Sequence, residues 1–190
     1  MLILFFSCLI ICIILHELSH LLVAKAVGCS IEVISLGFGK PIVFFEYKDI
    51  RINISPILLG GYCKLKGELE YSEDNDAFLN LTLRRKIAIT IAGIAINIIT
   101  GAIALLMAYK TYNLFLMVFG GISVLCGLCN LIPTFPCLDG SYLIYYPLIL
   151  KKFGKVEGIK IIKYIVDISF RIAIIINILS IPILFLMIKK

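Results

Sequence analysis

Four long apolar stretches decide what this chain can fold into. Residues 1–24, 87–109, 114–133 and 172–188 are nearly free of Asp, Glu, Lys and Arg, and about 20 such residues wound as a helix cross roughly 30 Å of hydrocarbon. Hydrophobic residues make up 61% of the 190 and charged residues 16%, against roughly 45–50% and about 25% in soluble domains. An ordinary soluble domain is excluded. The sequence predicts a polytopic α-helical membrane protein with about four to six transmembrane or membrane-embedded helices.

The segments between the spans differ sharply in texture. Residues 30–67 carry β-branched and aromatic runs broken by Gly, Pro and a Lys-Asp pair, and "RINIS" alternates polar and apolar residues. This predicts a small β-rich loop of two to four strands after the first helix. Residues 68–82 hold five of the twelve acids as an aqueous loop, and "LRRK" at 83–86 flanks the next span. The expected layout is one domain over 1–190. It runs as a first helix over 1–27, the β-rich loop over 30–67, the acidic loop over 68–82, spans over 84–109 and 114–132, a proline-interrupted stretch with its following helix over 133–150, and a C-terminal span over 158–188.

Charge placement predicts orientation. The formal net charge is +6, and the cations gather in two loops: nine Lys and Arg between the first two spans and five over 151–163, with one in the short link at 110–113. The positive-inside rule puts both rich loops in the cytoplasm. No basic stripe interleaved with aromatics suggests nucleic-acid binding. The N-terminus lacks the positive region and the small-residue cleavage site of a signal peptide, so the first helix is expected to stay in the membrane. The cysteines number seven and lie mostly in apolar surroundings, as small buried residues in a reduced setting do. Cys126 and Cys129 form a lone C-x-x-C inside an apolar span.

The first span carries a costly exception. His16, Glu17 and His20 interrupt its apolar run as "HELSH", and ionisable groups at membrane depth are costly by a few kcal/mol or more each. Histidines four apart project from one helix face and can hold one metal ion, while the glutamate beside the first can take a proton from water activated there. Alternatively, the three could satisfy one another or a neighbouring helix. A catalytic zinc site usually takes three protein ligands. With no third histidine in the chain, the best candidate is Asp139 in "NLIPTFPCLDGSYLI", where Pro133 and Pro136 forbid a continuous helix. Asp139 could instead simply cap the helix that follows.

Taken together, "HELSH", "SPILLGGYCKLKGE" and "NLIPTFPCLDG" resemble, in order and spacing, the site-2 protease family of intramembrane zinc metalloproteases. The likeness is to the compact branch that includes the sporulation-factor-processing enzymes, and it covers roughly residues 10–145. The resemblance implies one zinc ion per chain held by His16, His20 and Asp139, with Glu17 as the catalytic glutamate. It matches Asn130 to the asparagine opening the family's N-x-x-P-x-x-x-x-D-G motif, near substrate and the oxyanion. It also matches "AGIAIN" to an A-G-P-x-x-N element, making Asn97 a second such candidate. Here Ile94 replaces the proline, and Ser141 stands where many members have a second glycine.

The implied function is hydrolysis of a peptide bond in or near a transmembrane segment of a membrane-protein substrate. The expected location is the cell membrane, with the active site in the cytoplasmic half. No PDZ or other regulatory domain is expected, so substrate choice falls to the membrane core, the β-rich loop or a separate regulatory membrane partner. An unwound substrate segment could add to a strand edge within residues 31–66. Two other readings compete: a membrane metal-binding or transport protein, which has no need of Glu17, and a catalytically silent scaffold, against which the intact His, Glu, His and Asp set argues.

Overall fold

The computed structural model describes residues 1–133 and 138–188, with the side chains at 59, 170, 173, 174 and 176–188 outside the description. Pro136 and Cys137 therefore lie outside the described residues. Four helices and one small sheet are present: α1 (Leu2–Ala26), β1 (Ile31–Phe38), β2 (Val43–Tyr47), β3 (Ile50–Ile54), β4 (Ile57–Leu65), α2 (Leu83–Thr111), α3 (Leu114–Leu131) and α4 (Asp139–Ile188). Three of them, α1, α2 and α3, are long and apolar enough to cross a membrane. Only Tyr112 and Asn113 separate α2 from α3. Tyr112 takes a left-handed conformation that ends α2, and Asn113 caps α3 by accepting from the Leu116 N–H.

The three spans pack on one another through small residues. Cys8 and Cys12 of α1 are fully buried against Ala104 of α2 and Phe119 of α3, which is the small-apolar role expected of them. The α2–α3 crossing is closer still. A Cβ placed on Gly101 would meet the Val124 amide nitrogen at 2.8 Å and the Gly120 carbonyl at 2.9 Å, and one on Gly120 would meet the Gly101 carbonyl at 2.9 Å. Such small-residue contacts let two membrane helices touch backbone to backbone. Outward-facing residues such as Ile3, Leu106 and Met117 stay exposed, as a lipid-facing surface would leave them.

Four strands follow α1, in the sheet order β2-β3-β1-β4. Lys48 and Asp49 both have positive φ, the geometry of a two-residue turn that matches the twist of a hairpin. They turn β2 back antiparallel onto β3, which then lies parallel to β1, while β4 runs antiparallel along β1's other side. One end of the sheet packs near the end of α1, where Cys29, Ile31, Ile50 and Leu65 join Ala24 in a common core. The other end runs back alongside the helix: a Cβ on Gly61 of β4 would meet Glu17 Cγ at 3.0 Å and Ile13 Cγ2 at 3.1 Å. The sheet thus lies level with the middle of α1. The alternation in "RINIS" does not carry through, because Asn53 is buried and Ile54 is 40% exposed.

The acidic segment is folded rather than loose. Lys66 Nζ pairs with Asp74 and Asp76, Ser30 donates to Asp76, and the Asn80 amide donates to the Ser72 and Asp74 carbonyls. This arrangement drives Phe78 and Leu81 into the core under α1. Beyond it, α4 turns at Gly154, whose φ of 76° suits glycine. Its two arms fold against each other: Tyr146 packs with Ile162 and Val166, and Gly158 meets Leu150. The second arm continues as helix through the expected last span, where most side chains lie outside the described residues.

The α2–α3 contact yields a paired expectation. Gly120→Val should destabilise the purified protein by about 1–3 kcal/mol, since the crossing has no room for the added carbons. Gly121→Val, whose Cβ would meet nothing within 4 Å, should stay within about 0.5 kcal/mol. Thermal unfolding in detergent compares the two.

Candidate metal centre

Residues far apart in sequence meet on the inward face of α1. His16 Nε2 and His20 Nε2 are 3.2 Å apart, and Asp139 Oδ2 lies 3.0 Å from the first and 3.3 Å from the second. The two histidines are one helical turn apart, so α1 aligns them without strain. Asp139 comes from the first turn of α4, just past the proline-bearing break. Both imidazoles are buried, at 7% and 6% exposure.

The second ring nitrogens fix what the first can do. His20 Nδ1 sits 2.8 Å from the Ile89 carbonyl of α2. A carbonyl only accepts, so Nδ1 carries the proton and Nε2 is left with a bare lone pair. His16 Nδ1 lies 3.1 Å from the Asn97 side-chain amide, while Asn97 Oδ1 is buried without a partner. Turning that carboxamide end for end lets Oδ1 accept the His16 Nδ1–H, which frees the second Nε2 as well. Asp139 Oδ2 likewise has no hydrogen-bond donor. In these tautomers three acceptor atoms face one another within 3.3 Å, an arrangement that a bound cation would satisfy.

The spacing fits zinc. Bonds of about 2.0–2.1 Å at tetrahedral angles put ligand atoms roughly 3.3 Å apart, and the three separations here run from 3.0 to 3.3 Å. His16, His20 and Asp139 are the group of metal-binding type found among the described residues. The Ile89 carbonyl and Asn97 supply the outer contacts that orient metal-bound histidines.

Close approach of α2 makes this possible. A Cβ on Gly93 would crowd both His20 Nε2 and His16 Nε2, the latter at 2.7 Å, so any larger residue would push against the ring nitrogens that face Asp139. Sequence reading quoted this glycine within "AGIAIN" without giving it a role; the glycine four residues before Asn97 was the available signal. Glu17 occupies the adjoining position, with its carboxyl within electrostatic reach of His16, His20 and Asp139 and its Cγ against Gly61. Asn130 is placed differently: its amide donates to the Cys126 carbonyl of its own helix, and its carbonyl lies beside Gly140.

Two further groups near the centre carried no signal of their own in sequence. Glu68 is buried, and burial pushes its carboxyl up to about 7 although Oε2 accepts the Leu65 N–H. It closes the turn that follows β4. Burial, with Glu17 and Glu68 nearby, pushes the Cys63 thiol well above its ordinary range, so Cys63 is a small core residue and no nucleophile.

If Asn97 sets the His16 tautomer, Asn97→Leu should weaken zinc binding by about 10–100-fold while the protein stays folded. Gly93→Val should abolish binding. Competitive zinc titration of the purified protein measures both.

Comparison with known proteins agrees with this arrangement. The model of Peptidase family M50 matches residues 4–114, a stretch that includes both histidines, Glu17, the whole sheet, Gly93 and Asn97. Three bacterial relatives each bear the name "putative zinc metalloprotease". One from Borreliella burgdorferi is 41% identical over 46% of this chain and 22% of its own length. One from Clostridium acetobutylicum is 31% identical over 58% of the chain and 33% of its own length. One from Helicobacter pylori is 32% identical over 58% and 34%. The matched segment thus spans about a fifth to a third of these relatives. The match covers the helix bearing both histidines and the helix that contacts them, though not Asp139 of α4, and the chain belongs to Peptidase family M50, the site-2 protease family that its motifs resemble.

Proposed function

We propose that this protein is a zinc-dependent intramembrane endopeptidase, cutting a peptide bond in or near a transmembrane segment of a membrane-protein substrate. The observation that carries this reading is the meeting of His16, His20 and Asp139 beside Glu17 on a helix apolar enough to span the bilayer. When bound there, zinc would polarise the scissile carbonyl and make water acidic enough to react near neutral pH. The remaining work falls to the chain. Glu17 takes a proton from the attacking water and passes it to the leaving amine nitrogen as the C–N bond breaks. Asn97 and the Ile89 carbonyl hold the imidazoles in the required tautomer. The packed faces of α2 and α4 keep the ligands out of bulk solvent.

The sheet supplies a place for the substrate. A helical segment hides its amide bonds and must unwind before it can be cut. In the order β2-β3-β1-β4 the strand edges belong to β2 and β4, and β4 is the one whose Gly61 touches Glu17. An unwound segment adding to β4 by main-chain hydrogen bonds would run past the metal centre. The exposed Ile42, Val43, Phe44 and Ile54 at the far end of the sheet, level with the middle of α1, suit immersion in lipid. The cation-rich loops favour a cytoplasmic placement of the sheet side, and control of access by a separate membrane partner belongs to the same reading. Metal transport is less well supported, because Thr100, a polar residue that could extend a path along α2, bonds to its own helix at the Ile96 carbonyl.

Wild type and Glu17→Gln, purified in detergent, should both hold about one zinc. Only wild type should cleave a panel of single-span membrane proteins, the mutant losing roughly 10²–10⁴-fold or more in rate. Equal cleavage by the mutant overturns the mechanism. A proline scan over residues 61–64 of β4 should lower cleavage at alternate positions, those whose N–H faces away from β1, with zinc retained. A scan without that period of two removes strand addition from the mechanism.

A further inference from the structure

The free edge of β4 is closed at one end by the chain itself. The Lys66 N–H donates inward to the Ser30 carbonyl, and successive residues of an antiparallel strand turn their main-chain groups to opposite sides. Leu65, Cys63 and Gly61 therefore aim theirs outward, along the side of β4 where the sheet ends. Leu65 differs from the other two, because Glu68 takes both of its groups. Glu68 Oε2 accepts the Leu65 N–H at 2.9 Å, and the Glu68 N–H donates to the Leu65 carbonyl at 3.3 Å. Those are the two bonds that one residue of an added strand would make.

This corner is held in place. Gly67, with a φ of 66°, turns the chain back, and a Cβ there would lie 2.6 Å from that of Ala77. Glu68 itself is 7% exposed. Glu70 Oε1 lies 3.6 Å from Lys64 of β4 and 3.6 Å from Lys163 in the second arm of α4. The Glu68 carboxyl also stands within electrostatic reach of His20 and Asp139. The closed end of the edge thus borders the metal centre, as Gly61 does through Glu17.

We propose that Glu68 is a positioning residue: it stops the unwound substrate segment after Cys63 and so fixes which peptide bond reaches the metal. The inference rests on the strand-addition form of the endopeptidase reading. A segment pairing with Gly61 and Cys63 can go no further, since its next carbonyl oxygen would meet a carboxylate oxygen, and two acceptors have no proton to share. There the segment must leave the edge. Main-chain pairing alone leaves slips of two residues open, because such a slip keeps every side chain on its own face. A stop at one end of the edge removes them.

The test reads the position of the cut. The zinc-loaded full chain in detergent is incubated with the panel of single-span membrane proteins, and the products are weighed by intact-mass spectrometry. Glu68→Ala, which frees the Leu65 N–H, should add a second cut about two residues from the first. Glu68→Gln keeps an acceptor oxygen and should cut at the wild-type bond alone. A merely structural role would change rate or zinc content and leave the bond the same. Glu68→Ala that holds zinc and cuts the wild-type bond alone overturns the stop, while the endopeptidase reading stands. Where Glu68→Ala loses its zinc, Glu68→Asp, whose side chain is too short to reach Leu65, carries the same expectation. Loss of zinc from that variant as well makes Glu68 a structural support and overturns the stop. Wild type that holds zinc and cuts nothing in the panel overturns the endopeptidase reading, and the stop with it.

Discussion

Two imidazole nitrogens and one carboxylate oxygen lie within 3.3 Å of one another between α1 and α4. Facing acceptors in a low-dielectric interior need a positive partner, and the surrounding contacts leave these three free to take one. Most of the local structure makes sense as support for it. The Ile89 carbonyl sets one tautomer and Asn97 the other, Gly93 leaves room for the ion, and the first turn of α4 delivers the carboxylate. Metal binding and folding are coupled in such a site, because the ligands come from α1 and α4 and are oriented by α2. A metal held there would tie the last helical segment to the first.

The small-residue packing serves the same end. The contacts at Gly101 and Gly120 lock α2 to α3, while Cys8, Cys12 and Ala104 let α1 sit close to both. In lipid, apolar side chains gain little from meeting other apolar side chains, so the bundle depends on shape. A rigid α2 is needed because it carries three of the groups that contact the histidines: Ile89, Gly93 and Asn97.

Much of this was legible in the sequence. Apolar runs marked α1, α2 and α3, the three helices long and apolar enough to cross a membrane among the described residues. His16, Glu17 and His20 stood out because their spacing is helical and their setting is hostile to charge. Asp139 was identified by its place after a proline-broken stretch and by family likeness. Sheet order was not legible, because β1 pairs parallel with β3 and antiparallel with β4, and no local pattern distinguishes these choices. The burial of Asn53 and exposure of Ile54 followed from where the sheet lies along α1, a long-range fact. Asn97 was matched to a family position near substrate, and its side chain contacts His16. Sequence could mark it as unusual in an apolar span but could not show which ring it reaches. Gly93 was in view within "AGIAIN" but its role was not, because an absent side chain matters only through the neighbour that fills its place.

The glycine contacts on either flank of α1 have a consequence for how this helix can vary. Gly93 of α2 fits against His16 and His20, and Gly61 of β4 fits against Ile13 and Glu17. Each contact registers the helix in depth and in rotation, as two teeth fix a gear. One residue inserted or deleted before Cys8 would leave these contacts engaged, since only the exposed start of the helix would be displaced. The same change between Ile13 and His20 would turn one contact by about 100° relative to the other, and no shift of α1 could restore both. Length is therefore free only before the first packed residues of this helix and quantised from there on, while side-chain identity on its exposed side is less constrained.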